Sequence, residues 1–64
     1  MFTVIGYEGN AQSFSANAET IDEALYVTEG YLKRNITPEG ARVEIYRRGY
    51  GEPWLTLDKD AFTA

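Results

Sequence analysis

Few residues in this 64-residue chain are suited to chemistry, because it contains no histidine and no cysteine. That removes the commonest general base, the strongest side-chain nucleophile and the usual ligands of zinc, copper and iron. Carboxylates, Tyr, Ser and Lys remain. Ser13 and Ser15 alternate in Gln12 to Ala16, a stretch that reads as a strand, with no candidate base nearby in sequence; they are expected to be solvent-facing spacers. Asp22 and Glu23 are neighbours in a helical segment and stand about 100° apart around its axis, so they do not form a facing carboxylate pair. Asp58-Lys59-Asp60 opens like a calcium loop, but the glycine and distal glutamate that such a loop requires do not follow. Gly49-Tyr50-Gly51 imitates part of a phosphate-binding loop, yet a strand with Pro53 follows where a helix N-terminus is needed. No catalytic, cofactor-binding or metal-binding residue is assigned, and the chain is expected not to be an enzyme.

A set of residues suited to binding is left: Arg42, Glu44, Tyr46, Arg48, Trp54 and Thr56. Trp, Tyr and Arg dominate protein-binding hot spots because they bury large area at small entropic cost. The same residues could equally pack on one another across a hairpin without any partner. Their positions depend on the elements that carry them.

Thr20 to Asn35 reads as the only long amphipathic helix. Thr20 followed by Glu23 forms a capping-box pattern, and Ile21, Ala24, Leu25, Thr28, Tyr31 and Leu32 lie on one stripe. Acids fill its first turn and Lys33 and Arg34 its last, with Glu29 placed to pair with Lys33. Before it, Met1 to Tyr7 and Gln12 to Ala16 read as strands of a hairpin. A two-residue loop would set Ile5 opposite Phe14, and a three-residue loop Val4. Either leaves Phe2 with Val4, or Ile5 with Tyr7, on the face away from the helix. After it, Ile36 to Gly40 is a connector with a turn at Pro38 and Gly40. Arg42 to Arg48 and Glu52 to Asp58 then form a second hairpin around a three-residue loop with Gly51 left-handed. That register pairs Ile45 with Leu55, Val43 with Leu57, Tyr46 with Trp54, Arg42 with Asp58 and Arg48 with Glu52. Residues 59 to 64 read as a short tail or helical turn anchored by Phe62.

Hairpin, helix and hairpin make a single α+β domain over residues 1 to 64, ββαββ, with a four-stranded sheet and the helix across one face. A right-handed crossover would place strands one and four together, in the order 2-1-4-3. In element order and spacing this layout resembles the β-grasp of ubiquitin and of the immunoglobulin-binding domains of streptococcal protein G. The resemblance rests on no sequence motif and implies no binding residues. Ubiquitin-like carriers end in Gly-Gly where this chain ends Phe62-Thr63-Ala64, so no conjugation chemistry is implied. The alternative layout is a fully antiparallel sheet of two hairpins.

The net charge is −4, with −5 carried by residues 1 to 32 and +1 by residues 33 to 64. An acidic total argues against nucleic-acid binding driven by bulk charge. No basic n-region with an apolar run and no membrane-span length of apolar sequence is found, which with the lack of cysteine suits the cytoplasm. The expectation is a small protein-interaction module without cofactors, a homodimer or a regulator or inhibitor of bacterial or phage type. It would act through the open sheet face or the edge strand bearing Arg42 to Arg48. The alternative is single-stranded nucleic acid stacked on Tyr46 and Trp54, with Arg42, Arg47 and Arg48 on phosphates.

Overall fold

The computed structural model describes residues 1–34 and 40–59. The expected turn at Pro38 and the Phe62 anchor lie outside these residues. Five elements follow in chain order: β1 (Phe2–Glu8), β2 (Ala11–Ala18), α1 (Ile21–Leu32), β3 (Ala41–Arg47) and β4 (Leu55–Asp58).

Local chemistry sets the helix start. Thr20 has extended backbone, and its hydroxyl accepts the Glu23 N–H at 3.2 Å, satisfying one of the donors left unpaired in the first turn. The helix is shorter than the sequence pattern suggested: Lys33 is its C-cap and Arg34 lies one residue beyond. Glu29 and Lys33 form the expected pair at 3.3 Å. Ala24, Thr28 and Leu32 face the sheet and are buried, and the Thr28 hydroxyl donates to the Ala24 carbonyl at 2.8 Å, so its burial leaves no polar atom unpaired. Gly30 is exposed, and a Cβ there would meet nothing within 4 Å. Gly30→Ala is therefore expected to raise stability by about 0.5–1 kcal/mol, read from the thermal midpoint, because it removes backbone entropy from the unfolded chain and introduces no contact.

The four strands form one antiparallel sheet in the order β2-β1-β3-β4. The ββαββ arrangement with one helix on the sheet is thus as expected, while the β-grasp order 2-1-4-3 is replaced by the fully antiparallel layout. The reason lies in the last hairpin. β4 has only four residues and follows Pro53, which suits an edge, whereas the seven-residue β3 pairs with β1 over its whole length. β3, expected at an edge, is internal. The edges are β2 and β4.

Val4, Val43 and Ile45 are fully buried beneath α1, with Ala18 and Ala41 beside them. Phe2 shares their side of β1, which leaves Ile5 and Tyr7 on the opposite face. The first hairpin turns through Gly9-Asn10, where Gly9 has φ 69°, the pattern of a type II′ turn. The register of the two-residue loop holds for Glu8 with Ala11 and Tyr7 with Gln12, and neither expected register holds past them. Tyr7 pairs with Gln12 but Gly6 with Phe14, so Ser13 is an extra residue in a β-bulge, and the shift carries Phe14 to the helix side. There the ring lies directly over Gly6, and its centroid is 4.6 Å from that of Tyr31.

In the second hairpin the pairs Arg42 with Asp58, Val43 with Leu57 and Ile45 with Leu55 are found as expected. The loop differs. Tyr50 N–H donates to the Arg47 carbonyl at 3.1 Å, and Gly49, not Gly51, has positive φ, at 90°, as a type II turn requires at its third residue.

Candidate functional site

The helix-free face holds four of the six expected binding residues: Arg42, Glu44 and Tyr46 on β3, and Thr56 on β4. Alternation along β3 places them there, because the intervening residues fill the core. Arg42, Glu44 and Tyr46 are bonded to one another. Glu44, whose side chain is 17% exposed, accepts from Tyr46 Oη at 2.6 Å through one oxygen and from Arg42 Nε at 3.3 Å through the other. The Arg42 guanidinium lies 4.5 Å over the Tyr7 ring and donates from Nη1 to the Gly9 carbonyl at 2.8 Å. This row ties β3 to the first turn.

The hydrogen bond from Tyr46 to the Glu44 carboxylate, with partial burial and the carboxylate charge, pushes the phenol up to about 12. In the unfolded chain Tyr titrates near 10. The neutral phenol is the form that bonds, so this contribution to stability is complete below about pH 10 and is lost as pH rises through about 12. An ultraviolet titration should show one tyrosine ionising last. That step should vanish in Tyr46→Phe and move back toward the ordinary value in Glu44→Gln.

The other two expected residues lie elsewhere. Arg48 sits in the turn, where its N–H donates to the Met1 carbonyl at 3.0 Å, so no cross-strand pair with Glu52 forms. Trp54 precedes β4 and does not pair with Tyr46. Its N–H donates at 2.7 Å to the carbonyl of Ile45, the residue already opposite Leu55, and its ring packs on Phe2 with centroids 5.6 Å apart. Two residues facing one turn the indole toward the helix side.

Ser13, Tyr31 and Glu8 make a cluster that sequence spacing did not suggest. Ser13 Oγ and Tyr31 Oη are 2.8 Å apart, and Tyr31 Oη donates to Glu8 Oε2 at 3.2 Å. They border an open cleft of about 730 Å³ between the end of α1 and the first hairpin. These bonds clip the last helical turn to the hairpin.

A further surface element is the outer edge of β2. Among the described residues it has no strand partner on that side. Its eight residues, Ala11 to Ala18, include no charge and no proline, and after the bulge at Ser13 it runs regularly from Phe14 to Ala18. Phe14, Ala16 and Ala18 lie on the helix side, with Ser15 and Asn17 on the other. The opposite edge is guarded: Pro53 precedes the four-residue β4, and Asp58 and Lys59 close it. The signal for β2 is present in the sequence AQSFSANA, which has neither charge nor proline, and β2 is terminal in the expected order 2-1-4-3 as in the observed one.

No protein-family model, curated protein or solved structure matches this chain. Among the described residues no group of three or more acidic side chains could hold a metal ion, and no helix is long and apolar enough to cross a membrane.

Proposed function

We propose that the protein is a non-enzymatic protein-interaction module that docks through the outer edge of β2. The observation that carries this is the edge from Phe14 to Ala18: one side of the sheet ends in a short, charged strand preceded by proline, the other, past the bulge at Ser13, in five regularly paired residues without charge or proline. Folded proteins blunt such edges unless a chain is meant to pair with them. The aromatic and arginine face supports docking less well, because Glu44 already binds Tyr46 and Arg42, and Arg42 lies on Tyr7. The same bonds, with Trp54 held on Phe2, remove the ring pair on which a single strand of nucleic acid would stack.

A photo-cross-linking amino acid in place of Ser15 or of Thr56, both exposed, tests this in cells of the native host. Protein adducts are expected from position 15 and not from position 56. Adducts from 56 alone, or from neither, would refute edge docking.

A further inference from the structure

We infer that the partner is a second copy of this chain, joined edge to edge through β2 in antiparallel orientation about a two-fold axis. This rests on β2 being the docking element, and the helix above it selects the occupant. α1 runs opposite to β2: Thr20 starts it two residues after Ala18, and Tyr31 in its last turn bonds Ser13. One end of the edge therefore carries Glu19, Asp22 and Glu23, and the other Arg34 and Lys33, with Lys33 paired to Glu29 and Glu8 bonded to Tyr31 beside them.

Antiparallel pairing of two β2 strands sets each acidic end beside the partner's Arg34, on the same side of the joined sheet and away from the partner's own Glu19, Asp22 and Glu23. A parallel alignment would put acid beside acid. Strands pair about 4.8 Å apart, so two helices that each lie mainly over β1 stand about 14 Å apart, within reach of extended Arg and Glu side chains. The strands complement one another as well. With Ala16 on the axis, Phe14 lies next to the partner's Ala18 and Ser15 next to the partner's Asn17, so a large side chain meets a small one, a hydroxyl meets an amide and no like charges meet. An arbitrary extended peptide offers β2 hydrogen bonds but none of this charge match.

Sedimentation equilibrium on the wild type and two surface variants tests the inference, with circular dichroism confirming the fold. The wild type should dimerise, and Arg34→Glu and Glu19→Arg should each weaken the dimer roughly ten-fold by turning two attractive contacts into repulsive ones. An equimolar mixture of the two variants should regain wild-type strength, because in the mixed dimer both contacts join opposite charges again. A wild type that stays monomeric at millimolar concentration, variants that dimerise like the wild type, or a mixture no tighter than its components would each overturn it. A monomer whose position-15 cross-linker captures a different protein overturns self-pairing alone. The absence of both dimer and adduct overturns the docking edge too.

Discussion

Gly6→Ala is expected to destabilise the fold by about 1–3 kcal/mol, although alanine in a strand ordinarily improves on glycine by about 0.5–1 kcal/mol. Gly6 does not have positive φ, so its backbone suits alanine. The obstacle is steric: a Cβ at Gly6 would overlap the Phe14 ring, and Phe14 is also packed against Tyr31, which is clipped to Ser13 and Glu8. The ring cannot step aside without breaking those contacts. Thermal melts should show a midpoint lower by roughly 10 °C, given about 4–8 °C per kcal/mol at this size. In the double variant with Phe14→Leu, part of the loss should be recovered, since the smaller side chain leaves room for the methyl group. A Gly6→Ala protein as stable as the wild type would mean that Phe14 does not cover Gly6, and the bulge at Ser13 would be misplaced.

Ile45→Ala is expected to have a still larger effect, about 2–5 kcal/mol. Ile45 is fully buried in the internal strand, paired with Val4 on one side and Leu55 on the other, and its carbonyl holds the Trp54 N–H. A core in a chain this short supplies roughly 3–5 kcal/mol in all, so the variant should be largely unfolded at room temperature by circular dichroism. Ile45→Val, which removes one methylene, should cost about 0.5–1.5 kcal/mol and remain folded. Thr56→Ala, on the exposed face of the neighbouring strand, should stay within about 0.5 kcal/mol of the wild type. Equal stability for Ile45→Ala and Thr56→Ala would contradict the assignment of the two sheet faces.

Features governed by short-range chemistry were legible in the sequence. Thr20 and Glu23 marked the helix start, and one pattern of apolar and charged partners set three neighbours of the second hairpin. Features decided between distant segments were not. The bulge at Ser13 exists because Phe14 finds Gly6 below it and Tyr31 beside it, and strand alternation in Gln12 to Ala16 contains no trace of either. Trp54 followed the register rule on paper, but the strand pair ends one residue earlier and the indole reaches Phe2 from the other end of the chain. The strand order was open because both layouts bury the same faces, and the brevity of β4 and Pro53 bear on it more than the crossover does. Of the six candidate binding residues, β3 alternation located Arg42, Glu44 and Tyr46. What spacing did not reveal was that these three satisfy one another, which moves the weight of the docking argument to an edge with no notable side chain at all.

Amide hydrogen exchange followed by NMR at micromolar and millimolar concentration shows whether two molecules meet at the β2 edge. The outward-pointing amides between Phe14 and Ala18 are expected to exchange markedly more slowly in the concentrated sample, while those of β4 keep their rates. Unchanged rates along β2, with new protection at β4 or around Tyr46, would contradict pairing at that edge.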